Sequence, residues 1–208
     1  VPARFNMAEV SSRRWAQAQD AIEKIAIIEH LAGAAPRLHS YAALQAAANR
    51  LSNALAKVGV RRDDRVAIVM PQRFETAAAY MAVLQLGAIA MPLSQLFGPE
   101  ALAYRINDAG ALAAICDEAS MEALLSVRGS CPTLAVVIGL GQGAARADHD
   151  WQTLLATAAD SFDAADNAAD AVLDGVELGG CDDWAAPGTV SAAPSPGSVA
   201  VPSSSSST

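Results

Sequence analysis

The sequence predicts an α/β fold in which helices cover the faces of a mostly parallel sheet. Segments with helical periodicity alternate with short strand-like segments along the first 160 residues, which is typical of βαβ units. Residues 65–70 (RVAIVM) form a continuous apolar run, as expected of a parallel strand that is covered on both faces. Hydrophobic residues make up 52% of the 208 residues and charged residues only 17%, so a generally disordered chain is excluded.

Five elements are predicted in the first half of the chain, and local signals mark their ends. Ser40 is a suitable N-cap for a long helix with Leu and Ala at a spacing of three and four residues, and Gly59 ends that helix. Trp15 is predicted on the apolar side of the opening helix, and Pro71 ends the apolar strand. In order, the elements are helix 8–18, strand 24–29, helix 41–58, strand 65–70 and helix 74–86.

The second half of the ordered region continues the alternation of strand and helix. Gly87 leads into a strand that Pro92 ends, and Pro99 occupies a first-turn position of the next helix. The predicted elements are strand 88–91, helix 99–108, strand 112–116, helix 121–127, strand 134–138 and helix 151–159.

The domain organisation is predicted to be one subdomain followed by a tail. We expect residues 1–174 to form the α/β subdomain and residues 175–208, which are rich in Ser, Pro and Gly, to be disordered. Charge divides along the chain in a similar way. The first 146 residues hold 14 basic and 12 acidic residues, whereas the last 62 hold ten acidic residues and no basic one. A partner-binding acidic tail and a segment under different sequence constraints are both open interpretations.

Composition and charge exclude several classes of function. A net charge of −8 disfavours a nucleic-acid partner, and no apolar run is long enough to predict a membrane span. The first residues lack the pattern of a signal peptide. The three cysteines, Cys116, Cys131 and Cys181, have no metal-ligand spacing, which predicts a reducing, cytoplasmic location without disulfides or a zinc site.

Two polar loops are candidates for chemistry. Gly139–Gly143 follows a strand, but the sixth position of a GxGxxG fingerprint is Ala144, so a flexible loop is favoured over a dinucleotide-binding turn. His149 lies between Asp148 and Asp150, which could form a base and its orienting group. Sequence neighbours on a polar loop rarely face one another, so solvated surface is the favoured interpretation.

The remaining histidines and the densest charged segment are predicted to be surface features. His30 and His39 flank a loop. Residues 61–65 (RRDDR) could bind an anion, but alternating charges in a helix-to-strand turn more often indicate solvated side chains. Neither a GxSxG elbow nor a GxxxxGK[ST] loop occurs, so no catalytic residue is predicted.

Four segments resemble the AMP-forming acyl-CoA synthetases of the adenylate-forming superfamily. The first, with Trp15, is similar to acetyl- and medium-chain-type members, and the other three resemble core motifs, with Asp63 where the family usually has glycine. The segments are VPARFNMA (1–8), SYAALQAAANRL (40–51), GVRRDDRVAI (59–68) and LQLGAIAMPL (84–93). They lie in the family's order and spacing within residues 1–160.

The resemblance implies the N-terminal part of an enzyme of fatty acid or carboxylic acid metabolism. Such an enzyme uses ATP and Mg²⁺ to form an acyl-adenylate and then transfers the acyl group to coenzyme A. The resembling segments build the N-terminal sheet of that enzyme. Its phosphate-binding loop, ribose-binding Asp and catalytic Lys have no counterpart in this sequence. No catalytic, cofactor-binding or metal-binding residue is therefore assigned, and no cofactor is expected for these residues alone.

The point at which the resemblance stops suggests a shifted reading frame. Residues 170–173 (DAVL) resemble the strand before the phosphate-binding loop, and the likeness then ends. Codons for residues 181–188 (CDDWAAPG), shifted by one base, can encode Ala-Thr-Thr-Gly-Pro-Pro-Arg-Gly, which is close to the core of the missing loop. The shift would also account for the absence of basic residues and for the Ser-rich ending.

The sequence thus predicts a truncated acid–CoA ligase that is inactive alone. The alternative is a non-catalytic α/β module whose acidic tail binds a protein partner. For the truncated enzyme we expect one face of the sheet to lack its partner layer, so that apolar residues of strand 65–70 are partly exposed.

Overall fold

The computed structural model describes residues 4–30 and 33–167, and an alternation of strands and helices fills most of this part of the chain. The strands are β1 (Ile25–Glu29), β2 (Arg37–Ser40), β3 (Arg65–Val69), β4 (Ile89–Pro92), β5 (Ala113–Cys116), β6 (Val136–Gly139) and β7 (His149–Asp150). The helices are α1 (Arg14–Ala16), α2 (Tyr41–Lys57), α3 (Phe74–Leu86), α4 (Pro99–Ala109), α5 (Glu118–Arg128) and α6 (Trp151–Ala156). A π-helical segment, Glu9–Arg13, leads into α1, and a 3-10 helix, Gly141–Arg146, follows β6.

Five of the strands form one parallel sheet with the order β4-β3-β5-β6-β7. Strand β3 is central, because Val66 lies opposite Ala90 of β4 on one side and opposite Ala113 of β5 on the other. Strands β1 and β2 form a separate antiparallel ribbon. The predicted α/β class with a mostly parallel sheet is confirmed.

Helices of this chain cover both faces of the sheet. Val66 and Ile68 of β3 belong to one apolar cluster with α2, α3 and α6, whereas Ala67 and Val69 belong to a second cluster with α4 and α5. All four residues are at most 2% exposed. The expectation that strand 65–70 would be partly exposed is therefore wrong, because each face already has its own helical layer.

Local signals in the sequence account for where most helices begin and end. The Ser40 hydroxyl caps α2 by accepting the Ala43 N–H at 3.2 Å, as predicted. Helix α5 begins three residues earlier than predicted, because the Asp117 carboxylate accepts the Ser120 N–H at 3.1 Å and caps it. Gly87 ends α3 in the left-handed conformation at φ +78°.

Two strands were not predicted, and both depend on tertiary pairing. Strand β2 (RLHS) carries no alternating apolar pattern, yet it pairs with β1 over four positions. Strand β7 has only two residues, which lie opposite Ile138 and Gly139 of β6. A periodicity of two residues cannot be recognised in segments this short or this polar.

Residues 159–167, named here the strap, cross the outer side of α2 and α3. The side-chain amides of Asn49 and Asn53 donate to strap carbonyls at 2.7 to 2.9 Å. The Asn6 side-chain amide donates to the Ala165 carbonyl at 2.8 Å and to the Leu84 carbonyl at 3.1 Å. The strap thus joins the beginning of the chain to the two helices that cover one face of the sheet.

The predicted disordered tail, residues 175–208, lies outside the described residues, as do the last seven residues of the predicted subdomain.

Candidate functional site

The strand order places a crevice at the carboxyl edge of the sheet. The chain passes from β3 to β4 on one side and then crosses to β5 on the other side of β3. Open α/β sheets bind ligands outside the carboxyl ends of their strands, at the point where the strand order reverses in this way. The segments that follow β3, β4 and β5 are therefore the candidate site.

A groove of about 420 Å³ opens between the carboxyl ends of β3 and β4. The Thr76 hydroxyl donates to the Pro71 carbonyl at 2.6 Å and so fixes the loop from β3 to α3 against the first turn of α3. Burial raises the pKa of Tyr80, so its hydroxyl stays protonated and can donate a hydrogen bond near neutral pH. No charged side chain lines the groove, whose walls are formed by Ile68, Met70, Pro71, Gln72, Thr76, Tyr80, Pro92, Leu93, Ser94, Gln95 and Leu96.

Charged side chains lie beside this groove, at the ends of β3 and β5. Arg73 pairs with Glu75 at 2.7 Å, and this hydrogen bond is the main reason that the pKa of Arg73 is raised. Burial alone would raise the pKa of Glu75, but the bond from Arg73 and its charge outweigh burial and lower that pKa. Asp117 and Glu118 also act on Arg73 through their charges. The charge of Arg73 is therefore neutralised by Glu75, while Asp117 and Glu118 give this part of the edge an excess of negative charge.

The glycine-rich segment after β6 is ordered, so the predicted flexible loop is wrong. Gly141–Arg146 forms a 3-10 helix that packs onto the start of α5. A Cβ on Gly139 would lie 2.8 Å from Ala144 Cα, and a Cβ on Gly141 would lie 2.4 Å from Glu118 Oε2. Close packing against backbone requires glycine at 139, whereas the positive φ of +57° favours glycine at 141. A carboxylate against Gly141 is also the wrong charge for a phosphate site, so this turn does not fit a nucleotide phosphate.

The three residues 148–150 do not form a base with its orienting group. The Asp148 carboxylate accepts two bonds from the Arg128 guanidinium, at 2.7 and 3.0 Å, and the Val137 N–H at 2.8 Å. Asp150 caps α6 by accepting the Thr153 N–H at 2.8 Å. His149 is only partly buried, in β7, and neither aspartate bonds to it. The solvated-surface interpretation missed these structural bonds of both aspartates.

The Arg128–Asp148 pair predicts a dependence of stability on pH. The hydrogen bond from Arg128 is the main cause that lowers the pKa of Asp148. Since the folded pKa lies below the unfolded value of about 3.9, the pair stabilises the fold above that value and is lost as the pH falls through the folded pKa. We expect Asp148→Asn to be less stable than the wild type at pH 6 and to approach it near pH 3, as measured by urea unfolding. A stability difference that does not shrink on acidification would contradict this assignment.

The two loop histidines have different surroundings. His30 is exposed, as predicted. His39 is not a free surface residue: its ring stacks on Phe74 with centroids 4.2 Å apart, and its Nε2 lies 3.3 Å from Glu29 Oε2. The ribbon places His39 there by pairing β2 with β1, which the sequence pattern did not reveal.

Hydrogen bonds within and around the charged turn 61–65 hold Arg61 and Asp64 in place. The Asp64 carboxylate accepts the Arg61 N–H at 2.6 Å, and the Arg61 guanidinium donates to the Ala56 carbonyl at 2.7 Å. Asp63 has φ +67°, which explains why glycine suits this position. An anion site at Arg61 is therefore not formed.

The cysteines of the described residues do not supply a nucleophile. Cys116, at the end of β5, is fully buried, and burial with the nearby charge of Asp117 raises its pKa to about 12. Cys131 is buried as well, and Cys181 lies outside the described residues. Within residues 4–30 and 33–167, no group of three or more His, Cys, Asp or Glu side chains is arranged to hold a metal ion. In the same part of the chain, every helix is too short or too polar to cross a membrane.

Comparisons with known proteins agree with this architecture. An uncharacterized acyl-CoA ligase of Bacillus subtilis is 29% identical over 133 residues, which are 63% of this chain and 24% of that protein. An acetyl-coenzyme A synthetase of Rhodobacter capsulatus is 43% identical over 72 residues, which are 35% of this chain and 11% of that protein. The chain therefore spans only a small part of the length of these relatives.

The solved structures show the same fold. The anthranilate CoA ligase AuaEII, in complex with anthranoyl-AMP, has a TM-score of 0.72 at 21% identity, over 81% of this chain and 31% of that one. The family model described as AMP-binding enzyme matches residues 14–194, a range that includes the first part of the segment predicted to be a tail. The chain therefore belongs to the AMP-binding enzyme family.

Proposed function

We propose that these residues supply the first α/β subdomain of an AMP-forming acid–CoA ligase and do not carry out the reaction alone. The complete enzyme would activate a carboxylic acid with ATP and Mg²⁺ and transfer the acyl group to coenzyme A. The carboxyl edge of the sheet, with its uncharged groove, would face the ligands, while the remainder of the ligase would bind the phosphates.

The observation that carries this proposal is the charge of the carboxyl edge. Triphosphate binding needs backbone N–H groups, hydroxyls and a cation directed at the phosphates. The glycine turn instead holds the Glu118 carboxylate, and Arg73 is already paired with Glu75. The sequence also contains no loop similar to YTSGTTGxPKG. This edge can therefore contact an uncharged part of a ligand, but it lacks the groups for adenylation.

An activity assay tests the proposal. We expect the purified chain to give no carboxylate-dependent exchange between ATP and pyrophosphate with acids of two to twelve carbons. In a chimera, the 72 residues of the Rhodobacter capsulatus acetyl-coenzyme A synthetase that align with this chain are replaced by the aligned residues of this chain. We expect this chimera to catalyse the exchange. Exchange by the purified chain, free of host ligase, would overturn the proposal, as would a folded chimera without exchange.

The encoding DNA tests the frame-shift hypothesis separately. The hypothesis is supported if the DNA after the codon for Asp174 encodes the rest of a ligase in a reading frame shifted by one base. A frame that continues in register into unrelated sequence would contradict the hypothesis.

One observation favours the second candidate, an independent α/β module with an acidic tail. Both faces of β3 are covered by helices of this chain, so this central strand needs no further layer from another part of a protein. Cooperative unfolding above about 65 °C without prior dye binding would support an independent module. Dye binding at low temperature would favour a subdomain that requires the rest of the ligase.

A further inference from the structure

The N-terminus of α3 lacks a cap from its own sequence. The N-cap residue is Arg73, whose side chain makes no capping bond and pairs instead with Glu75. The first N–H groups of a helix have no partner within the helix, so they require an acceptor from elsewhere. This end of α3 is also continuous with the loop that forms one wall of the groove.

An acceptor reaches α3 from the ribbon. Glu29 Oε1, on β1, accepts the Phe74 N–H at 3.4 Å, across 45 positions of sequence. The second oxygen of the same carboxylate lies 3.3 Å from His39 Nε2, on β2. The side chain of Glu29 is 12% exposed and that of His39 is 22% exposed, so both are largely shielded from water.

The imidazole of His39 holds this arrangement in two ways. Its ring stacks on the Phe74 ring at an interplanar angle of 17°, and its Nε2 lies within hydrogen-bond distance of the Glu29 carboxylate. One residue of β2 therefore contacts both the acceptor and the residue whose N–H is capped. A negative charge at a helix N-terminus is additionally stabilised by the helix dipole.

We propose that Glu29 is the N-cap of α3 supplied by the ribbon, and that His39 is the positioning residue that holds it there. The pair fixes the first turn of α3 and, through the Thr76–Pro71 bond, the wall of the groove. The position of this wall matters for ligands only under the proposed function, whereas the cap itself is a property of this chain.

Amide hydrogen exchange of the 208-residue chain tests the cap. In Glu29→Ala we expect the Phe74 N–H and its neighbours in the first turn of α3 to exchange about 5- to 10-fold faster, the usual effect of losing a cap. Amides in the middle of α2 serve as the internal reference and should change less. Glu29→Gln keeps an acceptor oxygen and should restore exchange to within about twofold of the wild type.

A second variant addresses the role of His39. His39→Phe keeps an aromatic ring against Phe74 but cannot bond Glu29, so it should also speed exchange at the first turn of α3. Leu38→Ala is the matched control, because Leu38 is the neighbouring residue of β2 and is 60% exposed. If Glu29→Ala does not fold, His39→Phe alone decides the question.

Three outcomes would overturn the proposal: unchanged exchange at the first turn of α3, a change matched in α2, or an equal change in Leu38→Ala. Because the measurement uses no ligand, its failure would leave the proposed ligase function untouched. Inactivity of the chimera would equally leave the cap untouched.

Discussion

The substitution Ile115→Ala is expected to destabilise the fold by about 3 kcal/mol, within the range of 2–5 kcal/mol for such truncations. Ile115 is fully buried in β5, between β3 and β6, and packs in the cluster formed with α2 and α3. The substitution removes buried apolar side-chain atoms and leaves a cavity. Strand β5 cannot shift to fill that cavity, because it is hydrogen-bonded to β3 on one side and to β6 on the other. Urea unfolding followed by circular dichroism measures the loss as a lower midpoint at constant m value.

A matched control separates burial from residue type. Ile22 is 80% exposed, so Ile22→Ala should change the free energy of unfolding by less than about 0.5 kcal/mol. Equal effects of the two substitutions would show that β5 is not in the core. Since net domain stability is about 5–15 kcal/mol, Ile115→Ala removes a large fraction of it.

The second large effect is expected for Gly139→Ala. Its Cβ would lie 2.8 Å from Ala144 Cα, 2.8 Å from Ala147 Cβ and 2.9 Å from Met121 Cε, closer than real Cβ contacts allow. Because one of these atoms is backbone, the 3-10 helix must move away from the end of β6. We expect a loss of about 2–3 kcal/mol, at the upper end for overpacking, measured by the same urea unfolding.

Gly129→Ala is the control for this prediction. A Cβ at Gly129 would meet nothing within 4 Å, and the residue has helical angles, φ −63° and ψ −20°. Alanine there should be neutral or stabilise slightly, because it restricts the unfolded chain. A Gly139→Ala protein as stable as Gly129→Ala would mean that the segment after β6 is not packed as described.

The parallel core could be predicted because its signals are local. The continuous apolar run of β3, the cap at Ser40 and the prolines at positions 71 and 99 each determine an element without knowledge of the rest of the fold. Only the bounds shifted. Helix α5, for example, starts at Glu118 rather than at residue 121, because the Asp117 side chain caps it.

The remaining features depend on contacts between distant segments, which no periodicity records. Strand β2 is polar, and only its pairing with β1 brings His39 beside Glu29 and Phe74. The groove residues Thr76 and Tyr80 were also missed. Their signal was available in principle, because they follow the carboxyl end of a strand that borders the reversal of strand order.

Contacts between distant segments also explain why the expected exposure of strand 65–70 was wrong. The resemblance suggested a layer missing from one face, whereas helices on both sides of β3 come from this chain. The faces covered by each helix depend on the crossing from β4 to β5, which is a property of topology rather than of any one segment.

The strap has a consequence for how the protein emerges from the ribosome. The Asn6 side-chain amide donates to the carbonyl of Ala165, a strap residue 159 positions away in the sequence. This hydrogen bond cannot form until nearly the whole described region has been synthesised. At about 5–20 residues per second, the amides of Asn49 and Asn53 remain without their strap acceptors for several seconds or more. A nascent chain that stalls before residue 159 would present the outer side of α2 uncovered. The described fold can therefore be completed only after the strap has been synthesised.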